Sequence, residues 1–592
     1  MKHLIFITCL ISICFIFQAN AQFELSTKSS VRGLRNGTVT FTDFDSDGDL
    51  DILIFGNDIL ANVYSLLYLN DNLELTENGI DNFPNLNDGN LDWADYNNDG
   101  KMDLAIIGHS PENNGAISRV LTYESEFVDS NIELPGVSRG SIDWGDYNND
   151  GQEDILIVGQ DNSSASITKI FENKDSVFTE IDLPSVEGVS FGSASWVDYD
   201  GDGLLDFMIT GVTGVAPNTG DPITRLYRQT ETGFELVFEN TFEGVRLSSI
   251  DWGDADNDGD LDLLLTGLTA SSQNYTGLYI NNITSFTEMN TGLPNVIEGF
   301  AKWADYDNDG DLDILITGNV PWPDDKVCKV FSNDLLTFTE VFSVEGVGQS
   351  SGGWADFNND GYLDFFINGQ KSNFDLEAAI YLNTTLISSE KLSSKEQESL
   401  KVTNTAPSTP SGLSEEIIGN KLKLTWNASS DDKTMQSAIT YSVNLYKDGE
   451  LYIPSLSNSD GFRTIVEPGN AGANLFFITD NLPNGNYTWS VQAIDNTFSA
   501  SSFSNISGGI TLSNNTLIKS PISIFPNPTK NKLYLSLNEQ GGSYQLINLL
   551  GKVVSYGNLK TDYINLEGVS SGAYLLMVQL NSQTIVKRIV KQ

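Results

Sequence analysis

Seven stretches of the chain space carboxylates as a hard cation needs them. They read FTDFDSDGDLD (41–51), WADYNNDGKMD (93–103), WGDYNNDGQED (144–154), WVDYDGDGLLD (196–206), WGDADNDGDLD (252–262), WADYDNDGDLD (303–313) and WADFNNDGYLD (354–364). Counting from the first acid, position 1 is Asp43, Asp95, Asp146, Asp198, Asp254, Asp305 and Asp356. Position 3 is Asp45, Asn97, Asn148, Asp200, Asp256, Asp307 and Asn358. Position 5 is Asp47, Asp99, Asp150, Asp202, Asp258, Asp309 and Asp360, and position 9 is Asp51, Asp103, Asp154, Asp206, Asp262, Asp313 and Asp364. Gly fills position 6 each time, while position 7 varies among Asp, Lys, Gln, Leu and Tyr, so only its backbone carbonyl can matter. Calcium takes six to eight oxygens, and a glycine at the sharp turn lets a short loop wrap it. The spacing therefore predicts up to seven Ca2+ sites that relieve the repulsion among the carboxylates. Four carboxylates at the first, fourth, fifth and sixth loops, against three at the others, predict weaker binding where Asn stands at position 3. An EF-hand fits poorly, because the Glu at position 12 is missing and the flanks alternate like strands.

Elements must hold these loops in place, and the repeat shows which. First acids at 43, 95, 146, 198, 254, 305 and 356 give gaps of 52, 51, 52, 56, 51 and 51 residues. Each unit continues with four apolar residues, a polar loop, a strand such as GLYIN and then FTE…LP.V. Four strand-like segments per unit match one blade of a β-propeller. The seventh unit lacks its last strand, and FELSTKS at residues 23–29 resembles it, so the N-terminal segment is expected to complete that unit and close the ring. The Trp two places before each loop (Phe41 in the first) is expected to pack blade on blade.

The repeats resemble FG-GAP/VCBS repeats, the calcium-loop blades also found in integrin α-subunit heads. The resemblance implies a seven-bladed propeller over 22–388, with ligands on the face opposite the calcium loops, where Trp322, Tyr275 and His109 are candidates. Residues 389–405 read as a polar linker. Residues 406–512 alternate apolar and polar, and Trp426, Tyr441, Leu482 and Tyr487 are placed as in a fibronectin type III sandwich, expected to act as a spacer. Residues 513–592 form a further small β-sandwich that resembles the C-terminal sorting domain of type IX secretion substrates. That match rests on Pro526-Asn527-Pro528, the Gly551-Lys552 turn, SSGAYLL and the basic end with Lys587, Arg588 and Lys591. The fold class is thus all-β.

The formal charge of −48 argues against nucleic acid. The last 72 residues depart from it, with seven Lys/Arg against three Asp/Glu. Lys2, the apolar run LIFITCLISICFIF and Ala19-Asn20-Ala21 predict an export signal cleaved after Ala21. No other stretch is apolar enough to span a bilayer. Cys328 alone remains in the mature chain, so no internal disulfide forms, and its setting in KVCKV reads as an inert core thiol.

These features predict a monomeric, calcium-stabilised binding or adhesion protein, secreted or attached to the outer-membrane surface by the type IX machinery, that recognises a glycan or an extracellular protein. The alternative is a polysaccharide-degrading lyase or glycosidase on a propeller scaffold, and a third option is scaffolding alone. No catalytic constellation is visible: His109 is the single mature histidine, and neither a nucleophile elbow nor a zinc motif occurs. A pair of catalytic carboxylates would be hidden among so many.

Overall fold

The computed structural model describes residues 23–384, 405–512 and 522–592 apart from short internal stretches, so the export signal, almost all of the 389–405 linker and Trp322 lie outside the described residues. All its regular elements are strands, in two compact units, 1–512 and 513–592.

Each acidic repeat folds as an antiparallel meander. In the first, Val39–Thr42, Asp51–Asn57, Val63–Asp71 and Glu74–Asn78 pair in sequence order. The acidic loop joins the first strand to the second. The second strands are near-continuous apolar runs and are almost wholly buried, as DILIFGN at Asp51–Asn57 and DFFINGQ at Asp364–Gln370 show. Such runs must be covered on both faces, and neighbouring sheets supply the cover. Five repeats give four-stranded sheets, whereas the third and fourth merge into a nine-stranded one because Val189–Ser190 bridges Ile167 and Val212–Thr213.

Apolar clusters fill the junctions between consecutive repeats, and one of them packs Ile52 and Ile54 of the first repeat on Phe357 and Phe366 of the seventh. The ring is therefore closed. Phe23–Leu25 pairs with the strand Leu376–Asn383 as the sequence predicts, and Phe23, 2% exposed, inserts among Tyr306, Phe342, Trp354 and Phe365. The tryptophans pack between sheets as expected. Tyr96 stacks on Trp144, Tyr147 on Trp196 and Tyr306 on Trp354, with ring centroids 5.8–6.0 Å apart. Position 2 of the second, third and sixth loops thus stacks on the tryptophan of the next repeat.

Residues 411–512 form a sandwich of a three-stranded and a four-stranded sheet around buried Trp426, Tyr441, Leu482, Tyr487 and Trp489. The Tyr487 hydroxyl donates to the Pro483 carbonyl at 2.7 Å, a corner that ties the strand to the loop before it. In the second unit two sheets enclose Leu533, Leu546, Leu576 and Ile589. There Asn527 of the PNP motif clamps the last strand, donating to the Arg588 carbonyl at 3.0 Å and accepting from the Val590 amide at 2.8 Å.

Candidate metal centres and the axial channel

The seven acidic loops share one hydrogen-bond plan. Position 1 accepts the backbone N–H of position 5 at 2.8–3.1 Å in every loop. Position 5 accepts the N–H of position 7 at 2.9–3.2 Å. Position 9 accepts an N–H from the third strand of its own sheet at 2.6–2.9 Å. The second oxygen is engaged too in several loops: Asp51, Asp154, Asp262, Asp313 and Asp364 accept the N–H of position 2, and Asp254 and Asp305 that of the position 6 glycine. Gly259 and Gly310 at position 6 have φ of 100° and 89°, a conformation that only glycine adopts without strain.

Positions 1, 3 and 9 converge. Oxygens of Asp43, Asp45 and Asp51 lie within 4.8 Å of one another, as do those of Asp198, Asp200 and Asp206, of Asp254, Asp256 and Asp262, and of Asp305, Asp307 and Asp313. These are the four loops with Asp at position 3. At the other loops Asn97 and Asn358 accept the N–H of Asp99 and Asp360. The position 5 carboxylates are not among the converging triads; they close the turn.

Burial makes the clusters costly as bare carboxylates. It pushes Asp103, Asp154 and Asp262 up to about 9, Asp206 and Asp364 to about 8 and Asp51 to about 7. Asp254 rises to about 8 and Asp305 to about 7, again through burial and then through neighbouring carboxylates. Asp103 Oδ2, Asp206 Oδ2, Asp200 Oδ1, Asp256 Oδ1 and Asn148 Oδ1 are buried and receive no hydrogen bond. Buried acceptors without donors, all oxygen and mostly anionic, fit a hard dication.

Sequence reasoning missed a second set of residues. Asn70, Asn173, Asn281, Asn333 and Asn383 end the third strands and are buried. Each donates its Nδ2 to the position 8 carbonyl of its own loop, at Leu50, Glu153, Leu261, Leu312 and Leu363. The same Nδ2 reaches the position 2 carbonyl of the preceding repeat, at Phe357, Tyr96, Tyr199, Ala255 and Tyr306. Adjacent loops are thereby stapled around the ring. The recurrent YLN, FEN, YIN and FSN endings carried that signal.

The innermost strands line an axial cavity of about 1190 Å³. On its wall Asp92, Asp143 and Asp251 accept the backbone N–H of Trp144, Trp196 and Trp303 in the following repeat at 2.7–2.8 Å. Asp251 also pairs with Lys302 at 2.6 Å. At the end of the channel away from the loops, Asn36, Asp88, Arg139, Phe191, Leu247, Glu298 and Gln349 all have φ of 48–56°. This left-handed backbone costs a non-glycine residue about 1–2 kcal/mol. Backbone bonds run from one to the next: Asn36 N to Gln349 O, Asp88 N to Asn36 O, Phe191 N to Arg139 O and Leu247 N to Phe191 O, at 2.6–3.3 Å. The result is a rim with one backbone geometry and seven different side chains. On it the Arg139 guanidinium lies 5.0 Å from the Phe191 ring centre.

At the loop end the cavity is lined by the sandwich, including Ala438, Gly469 and Phe477. The sandwich is therefore packed on the loop side, not held away as a spacer.

The remaining candidates are scattered. His109 is exposed at the end of the strand Asp103–Ser110. Tyr275 is half-buried, its hydroxyl 2.6 Å from that of Tyr279 and 2.8 Å from Glu288 Oε1, so it serves the sheet rather than an open loop. Cys328 is buried and its thiol is pushed up to about 12, as the inert reading expects.

Residues 146–209, from the third loop to the fourth repeat, match the FG-GAP-like repeat family. The repeats form a β-propeller. Residues 523–592 match the family described as a secretion system C-terminal sorting domain. No curated protein matches the chain. Among solved structures, the propeller is similar in fold to the β-propeller domain of the Trilobed protease from Pyrococcus furiosus (13% identity, 59% of this chain and 94% of that one, TM-score 0.32). It is likewise similar to a PL25 ulvan lyase (12%, 61% and 96%, TM-score 0.38) and to the fucose-binding lectin of Aleuria aurantia (10%, 53% and 97%, TM-score 0.32). At these identities the likeness concerns fold alone. No helix among the described residues is long and apolar enough to cross a membrane.

Proposed function

We propose that this is a calcium-stabilised, non-catalytic binding protein of the cell exterior. Its propeller has seven blades and holds a glycan or a surface protein on the face away from the metal loops. The rim of left-handed residues carries this reading. Strained backbone gathers where a fold positions side chains for a task, and here it recurs once per repeat around one opening, under seven different residues. The sandwich, read as a fibronectin type III domain, leaves that face to the ligand. Residues 513–592 are read as the address for the type IX machinery, with the export signal removed after Ala21.

The enzymatic reading gains no support from the channel. Of the carboxylates on its wall, Asp92, Asp143 and Asp251 are engaged in holding the next repeat, and Asp43, Asp95, Asp146 and Asp198 belong to the acidic loops. Glu153, which burial pushes up to about 8, also lines the channel, and the thiol of Cys328 is held protonated in the core. A glycan array and a panel of surface proteins, run beside reducing-end and unsaturated-uronate assays, test the proposal. Binding without turnover, lost on Phe191→Ala or Arg139→Ala, is expected. Turnover of any polysaccharide overturns it.

A further inference from the structure

The sandwich touches the propeller at the metal loops themselves. Asn474, 9% exposed, donates its Nδ2 to Oδ2 of Asp146, position 1 of the third loop, at 3.0 Å. The other oxygen of Asp146 accepts from the Asp150 amide at 2.9 Å, so the loop and the sandwich each hold one oxygen of this carboxylate and leave a further lone pair on both. The Ser437 hydroxyl donates to the carbonyl of Gly201 in the fourth loop. Phe498 packs on the apolar cluster around Trp303, across the channel mouth.

We propose that the metal-loop face is a calcium-dependent docking surface for the chain's own sandwich, and that the ions of the third and fourth loops lock it in place. The inference rests on the calcium reading of the loops. Without a cation, nothing draws the converging oxygens of Asp198, Asp200 and Asp206 together, and the turn that presents the Gly201 carbonyl rests on its backbone hydrogen bonds alone. With the cation, both acceptors are held where Asn474 and Ser437 meet them. Linkage makes the effect mutual: what calcium adds to docking, docking adds to calcium affinity at these two loops. Docking also closes one mouth of the channel, so that a ligand enters from the rim alone.

Hydrogen–deuterium exchange on the full mature chain across a calcium titration tests this. Segments 436–441 and 469–478 of the sandwich are expected to gain protection at the same calcium concentration as the third and fourth loops. In the variant N474A/S437A, those two loops require about tenfold more calcium, the worth of one hydrogen bond to a charged acceptor, while the fifth loop is unchanged. Sandwich segments equally protected in chelator, beside loops that do respond, overturn the proposal and leave the calcium reading intact. Unchanged loop midpoints in the variant also overturn it. A chain in which no loop responds to calcium removes both readings.

Discussion

Asp256 and Asn358 occupy the same position in two loops, and the difference between them is one charge. Asp256→Asn is expected to weaken the fifth loop to the level of the second, third and seventh, while Asn358→Asp strengthens the seventh; calorimetric titration of each variant reads both changes. Affinity in such loops follows ligand charge. The pKa shifts make a second statement at this scale. A raised carboxyl pKa means that the folded state keeps a proton which the unfolded chain, at about 4, has lost. That contribution is complete below the unfolded value and is lost as pH rises through about 7 for Asp51, 8 for Asp206 and 9 for Asp262. In chelator the melting temperature is therefore expected to fall steadily from pH 5 to pH 9. In excess calcium the ion replaces the proton and the fall disappears. A melting temperature in chelator that rises over this range contradicts the burial argument.

At the scale of elements, two features hold the ring. Phe23 brings the chain's start into the seventh sheet, and Phe23→Ala is expected to cost about 3–5 kcal/mol in the unfolding free energy of the propeller. Asn281 satisfies two buried carbonyls, Tyr199 and Leu261. Its replacement by Ala leaves both without donors, at about 2–4 kcal/mol by urea unfolding, and loosens the fourth loop against the fifth. How these elements could be read differs. Meander, loop and closing strand were legible because each unit repeats the same alternation of period and turn, and seven copies remove the ambiguity of one. The asparagine staple was visible as a recurring letter without a role, since its second partner lies 77 to 82 residues earlier for Asn173 and Asn281. The fusion of the third and fourth sheets through Val189–Ser190 had no sequence signal at all. It depends on backbone register, which no pattern of side chains reports.

For the whole molecule, the sequence located the modules but not their contact. The sandwich core of Trp426, Tyr441 and Tyr487 was legible from alternation, whereas the seat of Asn474 on Asp146 joins residues 328 apart and follows from packing alone. The rim was hidden for a related reason, because Phe191 and Leu247 are not residues that announce a left-handed backbone. In the second unit, Lys587 and Arg588 are exposed on the final strand. Replacing both with Glu is expected to hold the protein in the periplasm, as fractionation of the secreting cell reads out, while normal surface display ends the sorting assignment. On the calcium reading, divalent ions fix the acidic turns of the ring. Thermal unfolding of the purified mature chain, with calcium and then with chelator, tests it most directly when bound metal is counted on the same sample. Several calcium ions per chain are expected, with a melting temperature lowered on the order of 10 °C or more by chelation, since each tightly held ion contributes up to about 4 kcal/mol. An unchanged melting temperature in a chain that holds no metal would contradict it.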